Sequence, residues 1–494
     1  MNSLSESVMT TPKDQSSVVL AKAKMDLVTE IDRDAETRDT WKKKNHYYHR
    51  QIESLCALLI PTSSKILEIG CSTGGLLAAL HPSSGKGLDI SARCIDIASA
   101  KYPSLNFAVD DAENLSCNET FDVIVMSDLV GYLFDVWKAF RCLRQVTHPG
   151  TRVIITYYNA LWEPLLLLAE RIGLKARQSH QNWLSLNDIE NQLNLNGYEV
   201  VRRGYRVFIP VCIPFVSDWI NRCAAAIPWL RKLGLVEYLV AREKGSGARS
   251  QTNDFSSSVI IPCRNESGNI EEAVLSIPMM GRHTELIFVD GNSTDGTQEI
   301  ISQQIEKYKG SKDIRLIHQG SGQGKGDAVR KGFQAAKGDF LFILDADLTV
   351  PPSDLPKFFQ AIAENEGELI NGTRLVYPME GEAMRPLNLL ANKVFSVMFT
   401  WLLDQKIKDT LCGTKVISKR NYEALAANRS YFGDFDPFGD FDLLFGAAKL
   451  NLKIVEIPVR YRARTYGDTK ISRFRHGLLL FRMCGVAFRK LKFQ

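Results

Sequence analysis

The sequence has no CxxC pair, and its ten cysteines are scattered without period along 494 residues. That argues against a disulfide framework and fits reduced thiols in a cytosolic compartment. Excess charge of one sign is also scarce. The 61 Lys and Arg against 56 Asp and Glu leave a formal +5, too little to point to a nucleic-acid partner. The opening MNSLSESVMTTPKDQSS is polar and lacks the apolar core of a secretion signal. No uncharged apolar run reaches the roughly 18 residues that a spanning helix needs. PLNLLANKVFSVMFTWLL at 386–403 comes nearest and is interrupted by Lys393.

What is present is ordinary globular composition, 45% hydrophobic and 24% charged, in a chain too long for one core. Residues 1–39 read as a polar, disordered arm. KGSGARSQTNDFSS at 244–257 reads as a linker. On either side, short apolar runs alternate with amphipathic stretches, the pattern of βαβ units around a mostly parallel sheet. The expected partition is a first α/β domain at 40–243, a second at 258–475 and a basic amphipathic tail at 476–494.

In the first half, SSKILEIGCSTGGLLAAL at 63–80 gives a strand, a glycine-rich turn and a helix. Such a turn lets backbone approach a ligand closely. The next strand ends at Asp89, an acid able to accept from both hydroxyls of a ribose. A third exit, FAVDDAENL, supplies Asp110 and Asp111, and a fourth strand, FDVIVMSDL, follows. The ordered set resembles class I S-adenosylmethionine-dependent methyltransferases over roughly residues 40–205. The resemblance implies a Rossmann-like fold that binds S-adenosyl-L-methionine. Glu68, Gly70 and Gly74 would hold its methionine part, Asp89 its ribose, and Asp111 with Ala112 its adenine. Cys71 and Ser72 depart from the commonest family pattern, and the methyl acceptor is not named. Upstream, His46, Tyr47, Tyr48 and His49 are candidates for a base, or form a helical lid over the pocket. The segment 205–241 is broken by three prolines, with Trp and Arg flanking apolar patches. Packing against the domain is expected there, with a lipid-facing surface as the alternative.

The second half has four strand exits. VIIP leads to Arg264, Asn265 and Glu266. ELIFVD brings Asp290 and Asp295. GSGQGKGD is a loop rich in glycine with Lys325, and FLFILDAD ends in Asp345 and Asp347. Two like charges two residues apart at the end of a buried strand repel and lose hydration. A cation between them removes that cost, and a hard divalent ion that keeps waters and bridges phosphates suits the pair. The order closely resembles the GT-A glycosyltransferases of family 2 over 256 to about 475. The resemblance implies a nucleoside pocket lined by Pro262, Arg264, Glu266 and Asp290, with Mg²⁺ or Mn²⁺ on Asp345 and Asp347 and Lys325 near the diphosphate of a nucleotide sugar.

Three features point to a lipid phosphate as acceptor. Arg374 in INGTRL stands at another strand exit, where it could bind a donor or acceptor phosphate. Residues 386–403 place Val394, Met398, Trp401 and Leu402 on one helical face with Asn388, Asn392 and Ser396 opposite. From Arg460 to Gln494 there are ten Lys or Arg and one acid, interleaved with Phe and Leu, a composition suited to an anionic membrane surface. Within it, RARTYGDTKIS resembles the R-x-Y-G-x-S-K element of dolichyl- and polyprenyl-phosphate sugar synthases, with Thr469 in place of serine. That resemblance puts Arg464 and Lys470 on the lipid phosphate. The expected protein is peripheral on the inner face of a membrane. Transfer to a sugar hydroxyl would instead call on Asp440 or Asp442 as base, and the N-terminal half is then open to a docking role without catalysis.

Overall fold

A computed structural model describes the chain except for residues 1–11, 177–179, 228, 246–253, 323, 375–385, 430–439, 463, 465, 467–472 and 493–494, and without the side chains of 12–20, 226, 386–391, 440 and 473–480. The chain divides into two units, Met1–Glu243 and Lys244–Gln494.

The first unit is built on seven strands: β1 Lys65–Ile69, β2 Ser84–Asp89, β3 Asn106–Val109, β4 Val123–Ser127, β5 Arg152–Tyr158, β6 Tyr198–Arg206 and β7 Val236–Glu243. They lie in the order β3-β2-β1-β4-β5-β7-β6. β1 to β5 pair in parallel, and β7 is antiparallel to both neighbours. The runs VIVM in β4 and RVIITY in β5 are buried, as strands covered on both faces must be. The chain winds outward from β1 to β3 and returns on the other side at β4. The order therefore reverses between β1 and β4, leaving a crevice at their carboxyl ends.

The expected arm is not irregular from residue 12 on: Pro12–Lys44 is one helix. Leu27, Ile31 and Ala35, four apart, are buried against Cys94 and Ile97. Three small or aliphatic residues on one stripe suffice to dock a helix whose mean hydropathy is that of a solvated segment. The segment 205–241 divides. Val207 and Leu235–Ala241 are core, whereas Phe215, Trp219 and Trp229 stand exposed.

The second unit has β8 Ser256–Cys263, β9 His283–Asp290, β10 Asp313–His318, β11 Phe340–Ile343, β12 Leu369–Thr373, β13 Lys415–Ser418 and β14 Ile454–Pro458. Their order is β10-β9-β8-β11-β13-β12-β14, with β13 antiparallel to its neighbours. The reversal here falls between β8 and β11. The expected linker ends sooner than 257, because Ser256 to Ser258 are buried inside β8. Their hydroxyls are satisfied internally: Ser256 donates to Asp339 at 2.7 Å and Ser258 to Glu285 at 2.5 Å.

Two helices close this unit, Pro386–Leu403 and Arg473–Leu491. In the first, polar residues also turn inward. Asn392 is buried and donates to Asp409 at 3.0 Å, and Ser396 donates to the Ile407 carbonyl at 2.6 Å, while Val394 and Val397 are exposed. In the second, Met483, Cys484, Ala487 and Leu491 are buried in the core, and Phe488 stacks on Trp401. The tail is thus a packed helix with one outward side. Among the described residues no helix is long and apolar enough to cross a membrane.

Candidate active sites

In the first unit a cavity of about 750 Å³ opens where the sheet order reverses, with Glu68, Gly70, Asp89, Asp111, Ala112 and Asp128 in its wall. Gly70 and Gly74 bound the turn after β1, with φ of +78° and +75°. A Cβ would meet Leu129 at 2.8 Å at the first position and Phe107 at 2.7 Å at the second. Asp89 ties that turn to the end of β2: its two carboxylate oxygens accept the N–H groups of Ser72 at 2.8 Å and Ser91 at 3.0 Å. Glu68 accepts the N–H of Leu77 at 3.0 Å, and burial pushes its carboxyl up to about 8. Asp111 accepts Lys24 of the first helix at 2.6 Å. Gly74 is not in the cavity wall. The acids at these exits hold internal donors, yet a carboxylate oxygen accepts more than one hydrogen bond, so the set retains capacity for hydroxyls and an amine.

The upstream aromatics separate. His46 and His49 line the cavity, and burial holds His49 down to about 4, neutral near pH 7. Tyr47 turns away to donate to Asp218 at 2.7 Å. Tyr48 donates to Asp128 at 2.8 Å. Asp128 directly follows β4 and was not among the residues expected at the site. Its Oδ1 is buried without a partner, its φ is +54°, and burial pushes its carboxyl up to about 6. Its position just past β4, beside a cavity, was the signal available.

In the second unit the two acids of FLFILDAD each face a cation. Lys325 lies 2.6 Å from Asp345, and Arg464 lies 2.5 Å from Asp347. Against the cost of burial, Lys325 holds the Asp345 carboxyl below its usual range. Thr349 steadies Asp347 by donating its hydroxyl at 2.8 Å. A Cβ on Gly413 would stand 2.0 Å from Asp345 Oδ2 and 2.5 Å from Lys325 Nζ, so backbone passes hard against this pair. Tyr466 of the RARTYG stretch is 3.1 Å from the hydroxyl of Ser267, which brings that stretch to the exit of β8.

Residues 258–425 match the family model described as Glycosyl transferase family 2, and residues 41–203 match a model described as Methyltransferase domain. The chain joins a methyltransferase domain to a family 2 glycosyltransferase domain. It is 29% identical over 242 residues to a dolichol-phosphate mannosyltransferase of Pyrococcus furiosus, covering 48% of this chain and 64% of that one. It is 38% identical over 123 residues to one of Saccharomyces cerevisiae, covering 24% and 44%. It therefore spans less than two thirds of either relative. A methyltransferase structure from Thermotoga maritima aligns at 16% identity and TM-score 0.35, over 43% of this chain and 98% of that one.

Several residues expected at the glycosyltransferase site have other partners. Asp290 is fully buried and accepts from Ser293 and from Gln298 at 2.6 Å, so it braces the turn after β9. Glu266 accepts from Asn269 at 2.8 Å, also within its own turn. Pro262 is half-buried on β8 and Arg264 is exposed beyond it. Arg374 grips Asp409 with Nε at 2.7 Å and Nη2 at 2.8 Å; burial works against the charge on Asp409, and Arg374 outweighs it to bring that carboxyl to about 2. Asp442 is bound to Arg429 at 2.7 Å. Lys470 and the side chain of Asp440 lie outside the described residues.

The donor chemistry around Asp345 and Asp347 fits a hard divalent cation. Two carboxylates lie two residues apart after β11, and no group of three His, Cys, Asp or Glu suited to a metal occurs among the described residues. Such an ion would complete its shell with phosphate oxygens and water.

Proposed function

We propose that the second unit transfers a sugar from a nucleotide diphosphate donor to a polyprenyl phosphate, with inversion at the anomeric carbon. The observation that carries this reading is the convergence of Asp345 and Asp347 with Lys325 and Arg464 at the sheet's point of reversal. Asp345 and Asp347 would hold Mg²⁺ or Mn²⁺, which neutralises charge on the leaving diphosphate. Lys325 adds a second cation beside that position. Arg464 binds the acceptor phosphate and aligns one of its oxygens behind the anomeric carbon. That oxygen forms the new bond to carbon as the bond to the diphosphate breaks. A phosphate monoester is already ionised near neutral pH and needs no base, which agrees with Asp442 being occupied by Arg429. Arg264 and Pro262 flank the nucleoside.

The first unit binds S-adenosyl-L-methionine in its cavity, with Glu68, Asp89, Asp111 and Ala112 around it, and methylates an acceptor of the same pathway. Asp128 stands ready to take a proton from that acceptor. The basic outward side of the C-terminal helix, with Arg482 and Arg489, rests on the anionic inner face of a membrane.

The test is release of nucleoside diphosphate from a panel of nucleotide sugars, with Mn²⁺ or Mg²⁺, in the presence and absence of polyprenyl phosphate. Release is expected only with the lipid, and it is expected to vanish with chelator or in Asp347→Ala. Release that needs only a sugar hydroxyl would overturn the choice of acceptor.

A further inference from the structure

One edge of the first unit exposes three apolar stretches held together. The helix Glu163–Arg171 carries Leu165 at 57% and Leu168 at 51% exposure, preceded by Leu161 and followed by Ile172. These four follow helical spacing and form one outward stripe. The helix Val216–Ala226 begins beside Phe215, 93% exposed, and carries Trp219, 65% exposed. Trp229, 73% exposed, precedes Leu233.

Hydrogen bonds join the first and third of these stretches, and the helix Val216–Ala226 packs against the turn Arg231–Leu233. Trp162 donates to the Leu233 carbonyl at 2.9 Å, and Asn159 donates to the carbonyls of Lys232 and Gly234, both at 2.9 Å. Beneath them Trp162 and Leu166 pack against Val207 and Leu235 in the core. The inner side of the edge is therefore satisfied, and the outer side is a contiguous apolar surface of the kind that marks an interaction site.

Charge selects the occupant. Asp218 accepts from Tyr47 and lies 3.9 Å from Arg50, Glu170 pairs with Lys175, and Glu163 sits in the first turn of its helix. Exposed Arg171, Arg222 and Lys232 have no carboxylate partner among the described residues. A second copy across a twofold axis would bring these like charges together. Leucine and tryptophan rimmed by unpaired cations suit the interface of an anionic bilayer.

We propose that this edge of the methyltransferase domain docks on an anionic lipid bilayer. This goes beyond the reading above, which places lipid contact on the second unit. The full chain is sedimented with vesicles of phosphatidylcholine, with and without phosphatidylglycerol. Alongside it run the double variants Leu165→Ser/Trp219→Ser and Arg222→Glu/Lys232→Glu. All four positions are exposed, and unchanged melting and S-adenosylmethionine titration report an intact fold. Wild type is expected to pellet with the anionic vesicles and less so as salt rises. The apolar pair is expected to weaken binding by about tenfold or more, and the charge pair to abolish the preference for phosphatidylglycerol. The proposal is overturned if the apolar pair pellets like wild type or if wild type ignores both vesicles. A concentration-dependent dimer in light scattering, lost in the apolar pair, would assign the edge to a second copy. Diphosphate release with detergent-dispersed acceptor is read on the same variants, so a failed transferase reading is told apart from a failed docking surface.

Discussion

The guanidinium of Arg464 lies 2.5 Å from the Asp347 carboxylate, although 117 positions separate the two in sequence. Asp347, which would help hold a divalent ion, is thus also within reach of an arginine. Arg464→Ala is expected to lower transfer to polyprenyl phosphate by about 10- to 100-fold, the worth of a charge-assisted contact. Mn²⁺ binding, read by the loss of the free-ion paramagnetic signal, should be unchanged or tighter. Weaker Mn²⁺ binding would make Arg464 a support of the metal site and not an acceptor contact.

Gly413 is the second test of that site. A methyl group there would press on Asp345 and Lys325 at 2.0 and 2.5 Å, and both atoms are at the ends of side chains. The fold should therefore survive Gly413→Ala while the pair is displaced. Diphosphate release is expected to fall about 100-fold or more, with melting temperature nearly unchanged. A fully active variant would show that the pair tolerates displacement.

Asp128 offers a pH signature. Its carboxyl, pushed up to about 6, is a proton acceptor only above that value. Methyl transfer to a hydroxyl or amine is then expected to rise as pH passes through about 6 and level off. Asp128→Asn keeps an oxygen for Tyr48 but should flatten that limb and reduce turnover while leaving S-adenosylmethionine affinity intact. An unaltered pH profile, measured as S-adenosylhomocysteine formation, would assign the proton to another group.

Glu68 predicts how stability depends on pH. Burial raises its carboxyl from 4.5 to about 8, so between those values the folded chain keeps a proton that the unfolded chain has released. Stability from this group is full below 4.5 and is lost as pH rises toward 8. Melting of the first unit is expected to fall across that range, and Glu68→Gln, which still accepts from Leu77, should make the fall smaller. An equal slope in both proteins would show that Glu68 titrates normally.

How much of this was legible depends on how far apart the interacting groups lie. The glycine turn after β1 and the paired acids after β11 are local: an apolar run, a bend and a charged exit occupy a dozen residues, and strand ends collect ligands by the geometry of the sheet. The docking of the first helix was missed because three contact positions in a charged segment leave the average looking solvated. The setting of the helix Pro386–Leu403 was not legible, because Asn392 and Ser396 find internal acceptors, and periodicity alone does not distinguish a polar face toward water from one toward buried partners.

The sequence by itself determined two α/β units, their strand-exit motifs and the pairing of Asp345 with Asp347, since each arises from neighbours along the chain. Only the tertiary structure decided which partner each charged group takes. Arg374 is bound to Asp409, Asp442 to Arg429, Asp290 to its own turn, Lys325 to Asp345 and Arg464 to Asp347, while Asp128 lines the cavity of the first unit. The reason is physical: a buried charge must be neutralised or hydrogen-bonded within a few ångströms, and that distance is set by the packing of strands and helices, not by spacing along the chain.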